Sequence, residues 1–275
     1  MTGVQRFTLA DGAEVPYVEF GDPDGKPFVV VAGLSDGLMI MGRTAARFLP
    51  RMYKDFMKYR VLVPQRRVPV PMGFTTADMG DDLAEFLRGL GAVPANVLGI
   101  SMGGMVSQQL AARHPDSVDH LILGVTVPYV TAELRGIIDE WERMANAGEW
   151  KAYHADALRK TYTGHMPLKY KVAPLFSRLM PRPTDLSRYE AQSEACRTHD
   201  ARPVLKDIKA PTLVLSGRQD VLCRPELGQA MAAAIPNAHI VVLDRAGHGA
   251  FEERKADFDA ACLAFMEDKP VPVTR

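Results

Sequence analysis

Cysteine is scarce in this chain: three residues, Cys196, Cys223 and Cys262, among 275. The count is odd and the spacing matches neither CxxC nor CxH. Reduced, mostly buried thiols are expected, rather than a disulfide framework or a metal cluster. His114, His120, His154, His165, His199 and His239 form no HxH or HExxH pattern either, so neither a metal nor a cofactor is expected. Net charge is also lacking. The 33 Lys and Arg balance the 33 Asp and Glu. Nothing then draws in a polyanion over distance, and nucleic acid is not an expected partner. No apolar run approaches the roughly 20 residues of a membrane helix. The start, Met1-Thr2-Gly3-Val4-Gln5-Arg6, leads into strand-like alternation rather than the apolar core of an export signal. A cytoplasmic protein without a membrane span is expected.

What is present is ordinary for a globular protein, with 47% apolar and 24% charged residues. The length suits one domain, with or without an inserted lid. The N-terminal segment reads as a hairpin, Arg6 to Leu9 and Val15 to Phe20 around the turn pair Asp11-Gly12. Phe28-Val29-Val30-Val31-Ala32 then runs apolar without alternation, as strands covered on both faces do. Similar runs recur at Arg60–Val63, Ala95–Ile100, His120–Leu123, Pro211–Leu215 and His239–Leu243. Helical patterns at Met79–Leu90, Met102–Arg113, Glu226–Ile235 and Phe251–Met266 separate most of them. Strand alternating with helix predicts an α/β fold with a parallel sheet between two helical layers.

One region breaks the alternation. From about Tyr129 to Pro203 no buried strand is evident. Leu134, Ile137, Ile138, Trp141 and Met144 form one helical stripe, and Trp150, Tyr153 and Ala157 suggest a second. Pro167, Pro174, Pro181 and Pro183 punctuate the remainder. Residues 129–203 therefore read as a helical insertion into a core of residues 1–128 and 204–275. The insertion holds both tryptophans and five of the eight tyrosines. These aromatics either form its own small core or face a substrate pocket.

Chemistry enters at the strand Asn96–Ile100, which runs into Ser101-Met102-Gly103-Gly104 and directly into a helix. This is G-x-S-x-G (Gly99, Ser101, Gly103) in a strand–turn–helix context. Such a turn lifts the serine hydroxyl above the strand end and crowds out side chains two positions away. It also aims the Met102 N–H, at a helix N-terminus, toward an incoming oxyanion. A serine hydroxyl needs a base, and the base needs an orienting carboxylate. Asp220 follows the strand ending near Leu215, and His248 follows the one ending at Leu243. Both lie past carboxyl ends of strands, where open parallel sheets bind ligands. Taken singly, Asp220 is a turn carboxylate and His248 a loop histidine. In the order Ser101, Asp220, His248 they make a triad. Asp244, four residues before His248, is the competing acid. A second oxyanion donor is expected in Gly33-Leu34-Ser35, at the N–H of Leu34.

Over essentially its whole length the sequence resembles the α/β-hydrolase superfamily. The resemblance rests on Gly99-Ile100-Ser101-Met102-Gly103-Gly104, on Ala111-Ala112-Arg113-His114-Pro115, on Asp220, and on Gly247-His248 followed by Glu253 and Phe258. It implies the α/β-hydrolase fold: a mostly parallel central sheet flanked by helices, with a helical cap over the site. It further implies Ser101 as nucleophile, His248 as base, Asp220 as orienting acid, and Leu34 and Met102 as oxyanion donors. The run Ser101–Met105 is most similar to that of small-molecule esterases and enol-lactonases. Two departures stand out. Ala32-Gly33 occupies the place where most members carry His-Gly, so the oxyanion loop must be supported otherwise. Pro64-Gln65-Arg66-Arg67-Val68-Pro69 replaces an Asp-x-Arg-Gly-x-Gly segment. Arg66 and Arg67 are either solvated, paired to a nearby carboxylate, or placed to meet an anionic substrate group.

The function expected is hydrolysis of a small-molecule carboxylic ester or lactone through an acyl-enzyme. Thioester or amide cleavage on the same groups is one alternative. Proline iminopeptidases, however, usually carry tryptophan where this chain has Met102. Ser101 excludes the usual mechanism of the dehalogenases and epoxide hydrolases of this fold, which attack with an aspartate. A hydrolase-like ligand-binding protein is the alternative of a different class. The partner is a small molecule, and the oligomeric state is left open between monomer and homodimer.

Overall fold

A computed structural model describes residues 3–164, 183 and 185–272. His165, Pro167, Pro174 and Pro181 lie outside them. Among the described residues eight strands form one sheet: β1 (Val4–Thr8), β2 (Glu14–Gly21), β3 (Pro27–Val31), β4 (Arg60–Pro64), β5 (Ala95–Ile100), β6 (Val118–Gly124), β7 (Thr212–Gly217) and β8 (Ala238–Leu243). Their order is β1-β2-β4-β3-β5-β6-β7-β8. β2 pairs antiparallel with β1 and β4, and the other pairs are parallel. The hairpin turns at Gly12, whose φ of 87° suits glycine, and closes with Gly12 N donating to Leu9 O at 2.8 Å.

The unalternating apolar runs have a simple cause. Successive side chains of a strand point to opposite faces, and here both faces are covered. Val29, Val31, Val97, Leu121 and Leu123 pack on one side with Met79, Leu83, Leu87 and Leu110. Phe28, Val30, Leu98, Ile122 and Leu213 pack on the other with Phe56, Phe258, Cys262 and Phe265.

The flanking helices are α1 (Arg43–Met52), α2 (Thr76–Gly89), α3 (Met102–Arg113), α4 (Ala132–Asn146), α5 (Trp150–Thr161), α6 (Ser187–Arg197), α7 (Pro225–Ala234), α8 (Ala250–Glu253) and α9 (Lys255–Met266). α2 begins three residues before its apolar stripe, at a capping box. The Asp78 N–H donates to Thr75 Oγ1 at 3.2 Å, and the Thr75 N–H to Asp78 Oδ2 at 2.8 Å. The predicted helix Phe251–Met266 breaks at Arg254 into α8 and α9. α1 packs on the core through Ala46 and Leu49, with Tyr53 just past its end, and carries Arg43, Arg47 and Arg51 at four-residue spacing. Its short stripe and Pro50 keep it from reading as a helix in the sequence. No helix among the described residues is long and apolar enough to cross a membrane.

α4, α5 and α6 lie between β6 and β7. Among the described residues of 129–203 there is no strand, only the isolated pairing of Tyr129 with Asp200. Trp150, Tyr153 and Tyr189 pack together with Ala145 in a small core of their own. Beyond α6, His199 is buried with Nδ1 2.9 Å from Thr76 Oγ1. Burial pushes its pKa down to about 4, against the pull of the Asp200 carboxylate. An unfolded imidazole titrates near 6.5, so between about pH 6.5 and 4 the unfolded chain binds a proton that the folded one refuses. Stability from this group is complete above that window and is lost as pH falls through it, by about 2 kcal/mol between pH 7 and 5. Urea unfolding of His199→Gln at both pH values is expected to show that much less acid sensitivity than wild type. An unchanged difference would place the sensitivity elsewhere.

Candidate active site

Four loops meet beyond the carboxyl ends of β3, β5, β7 and β8. They bring Gly33, Ser101, Asp220 and His248 together. Ser101 has φ 54° and ψ −122°, a left-handed backbone that costs on the order of 1–3 kcal/mol for a residue with a side chain. The turn is held by the Ser101 N–H donating to Gly124 O at 2.9 Å, while Ser101 O accepts from Thr126 Oγ1 at 2.7 Å. Its glycines are sterically required. A Cβ at Gly103 would stand 2.0 Å from Val31 O, and one at Gly99 2.6 Å from Gly103 O. Without side chains at these positions, α3 packs against the end of β3 and presents Ser101 at its N-terminus.

Ser101 Oγ lies 3.0 Å from His248 Nε2, and His248 Nδ1 lies 2.9 Å from Asp220 Oδ2. A carboxylate only accepts, so Nδ1 carries the proton and Nε2 of the neutral ring accepts from the serine hydroxyl. Asp220 is itself pinned, since Oδ1 accepts from the N–H groups of Leu222 and Cys223, each at 2.8 Å. Asp220 and His248 are both buried. The competing Asp244 turns away. Its carboxylate pairs with Arg218 and is about two-fifths exposed.

Leu34 and Met102 are the first residues of a 3-10 turn (Leu34–Gly37) and of α3. Their N–H groups therefore lack an intrahelical acceptor. Gly33 closes on the serine, so that a Cβ there would lie 3.4 Å from Ser101 Cβ.

A cavity of about 400 Å³ opens over Ser101 and His248. Leu34, Met105, Leu134, Ile138, Trp141 and Tyr153 supply much of its apolar wall. Trp141 and Tyr153 thus serve both the helical layer's packing and the cavity, whereas Trp150 and Tyr189 serve only the packing. Among the described residues the wall carries no lysine or arginine, and Glu252 contributes a carboxylate. Cys196 and Cys223 also border it, but as neutral thiols. Burial pushes Cys196 up to about 12, and burial together with the Asp220 carboxylate pushes Cys223 well above its ordinary value. Asp220, Cys223 and His248 have ligand atoms within 4.8 Å of one another. That set suits a metal poorly, because the thiol keeps its proton and the other two are hydrogen-bonded to each other.

Arg66 and Arg67 do not line the cavity over Ser101, and neither is solvated. Arg67 lies 3.2 Å from Asp82 and also pairs with Asp11, while Arg66 reaches Gly33 O and Asp36. The pairing with carboxylates anticipated for them is found. Glu253 emerges as a support that its sequence context did not assign. Its Oε2 accepts from the Gly247 N–H at 2.8 Å, and its Oε1 accepts from Thr163 N and Oγ1 at 2.7 Å, fixing the loop that carries His248.

The family model for the alpha/beta hydrolase fold matches residues 63–255. A pimeloyl-[acyl-carrier protein] methyl ester esterase of Neisseria meningitidis is 30% identical over 203 residues, 68% of this chain and 75% of that protein. The crystal structure of an enol-lactonase from Burkholderia xenovorans superposes with a TM-score of 0.81 at 25% identity, covering 96% of this chain and all of that one. An α/β-hydrolase enzyme from a deep-sea metagenome library superposes with a TM-score of 0.84 at 23% identity, over 98% of this chain and 99% of that one. On sequence and architecture alike, the chain belongs to the α/β-hydrolase fold family.

Proposed function

We propose that the protein is a serine hydrolase that cleaves a small-molecule carboxylic ester or lactone through an acyl-enzyme on Ser101. The observation that carries this reading is the continuous hydrogen-bonded line from Ser101 Oγ through His248 to the buried Asp220. In the first half-reaction Ser101 Oγ attacks the ester carbonyl carbon as its proton passes to His248 Nε2. The carbonyl oxygen becomes an oxyanion held by the N–H groups of Leu34 and Met102. The tetrahedral intermediate expels the alkoxide, which takes the proton from His248. With a lactone the alcohol stays tethered to the acyl group. In the second half-reaction water attacks the acyl-enzyme under the same base and releases the acid. Residues 129–203 act as a cap on a core of 1–128 and 204–275, since Leu134, Ile138, Trp141 and Tyr153 all face the cavity. The names carried by the Neisseria relative and the Burkholderia neighbour point to the same bond type.

A panel of p-nitrophenyl esters, matched thioesters and anilides tests the reading. Esters are expected to turn over well ahead of anilides, with a stoichiometric burst of nitrophenol whenever deacylation is slow. Faster thioester than ester cleavage would reassign the bond. Stoichiometric fluorophosphonate labelling with no turnover of any panel member would favour a ligand-binding protein.

A further inference from the structure

Asp36, Arg66 and Arg188 form a buried charge cluster drawn from the turn Leu34–Gly37, the loop after β4, and α6. Arg188 Nη2 donates to Asp36 Oδ2 at 2.6 Å and to Arg66 O at 3.1 Å, and Nη1 donates to Asp36 O. Gln65 Nε2 donates to Asp36 Oδ1 at 2.6 Å. The Asp36 carboxylate is thereby well served without the Arg66 side chain, whose Nη1 stands 3.6 Å from Oδ2. Two arginines share one carboxylate, and Arg66 is the surplus cation. Its side chain is only 4% exposed, and its Nε and Nη2 have no hydrogen-bond partner among the described residues. Burying a cation in this state destabilises a fold, so stability does not account for it. The bond it does make is from Nη1 to Gly33 O at 3.2 Å.

Gly33 O and the Leu34 N–H belong to one peptide unit. That unit is trans and planar, so its C=O and N–H point in opposite directions. Whatever grips the oxygen therefore aims the N–H, and two donors do so: Arg66 Nη1 at 3.2 Å and, within the turn itself, the Asp36 N–H at 3.2 Å. We propose that Arg66 is a positioning residue for the oxyanion site: its grip on Gly33 O orients the Leu34 amide toward the carbonyl undergoing attack at Ser101. A cation at the oxygen also polarises the peptide and strengthens its N–H as a donor. Ala32 brings no hydrogen-bonding side chain to this loop, and Arg66 donates to it from the loop after the neighbouring strand β4. Arg188, on α6, locks the same turn through both the carbonyl and the carboxylate of Asp36. This inference rests on the hydrolase reading above.

The test compares wild type, Arg66→Met and Ser101→Ala on one short-chain p-nitrophenyl ester, with an aryl trifluoromethyl ketone as a second probe. The ketone adds Ser101 Oγ to its carbonyl and places an alkoxide in the oxyanion site. Arg66→Met is expected to lower kcat by about 10- to 100-fold. KM is expected to stay within about threefold, and ketone affinity to fall in step with kcat. A structural role alone would lower the melting temperature without this parallel loss of kcat and ketone affinity. If Arg66→Met keeps kcat and ketone affinity within about threefold of wild type while Ser101→Ala is silent, the positioning role is wrong and the hydrolase reading stands. If Ser101→Ala still turns over, the hydrolase reading falls and the positioning role falls with it. Should Arg66→Met fail to fold, Arg66→Lys keeps the charge but shortens the reach, and it must still lose kcat at unchanged KM. Wild-type kcat in that variant overturns the proposal.

Discussion

Ser101→Ala is expected to lower kcat/KM for ester hydrolysis by about 10⁴- to 10⁶-fold while leaving the protein folded. The substitution removes one oxygen and its 3.0 Å bond to His248. It leaves the Cβ, the φ of 54° and the backbone bonds to Gly124 and Thr126 in place. Alanine at positive φ is as strained as serine, so the elbow should persist, and stability should shift by about 1 kcal/mol or less. The kinetic cost is of another order, because no remaining group can take the nucleophile's place. Cys196 and Cys223 border the same cavity, but burial keeps both thiols protonated. Initial rates, paired with urea unfolding of the same preparations, check both halves. Activity within about tenfold of wild type would remove Ser101 from the mechanism.

The parts of this site that were legible in the sequence share a physical character. Gly99-x-Ser101-x-Gly103, Asp220 and Gly247-His248 each sit one turn beyond an apolar strand, and the topology of a parallel sheet delivers such turns to one edge. Their meeting follows once strand order follows. Arg66 shows the opposite case. Read along the chain it is a charge in a polar loop. Its burial depends on Asp36, 30 residues away, and Arg188, 122 residues away, neither of which any local pattern links to it. Glu253 could be named only as a neighbour of His248, because no residue pattern along the chain announces its bond to the Gly247 N–H. Helix edges behave similarly. The start of α2 is set by Thr75 and Asp78 rather than by its apolar stripe, and the stripe of α1, Ala46, Leu49 and Tyr53, is short and shares its helix with Pro50.

Asp220→Asn tests the orienting carboxylate, and the surrounding bonds say why an isosteric change should be costly. Oδ1 accepts from two backbone N–H groups, those of Leu222 and Cys223, at 2.8 Å each. In the asparagine variant only the amide oxygen can satisfy them, so the oxygen is held there and the NH₂ is turned to His248 Nδ1. An NH₂ donates, and the imidazole must then accept at Nδ1 and carry its proton on Nε2. That tautomer cannot accept from the Ser101 hydroxyl. The expected loss is about 10⁴-fold in kcat, as for the equivalent change in other Ser-His-Asp triads, with the fold retained. Asp244→Asn only weakens an ion pair with Arg218 at the surface, so its rates should stay within about twofold of wild type. Nitrogen NMR of the His248 ring in both variants reports the tautomer directly: a proton on Nε2 in Asp220→Asn and on Nδ1 in Asp244→Asn. A crippled Asp244→Asn beside a mild Asp220→Asn would transfer the orienting role to Asp244 and leave Ser101 and His248 where they stand.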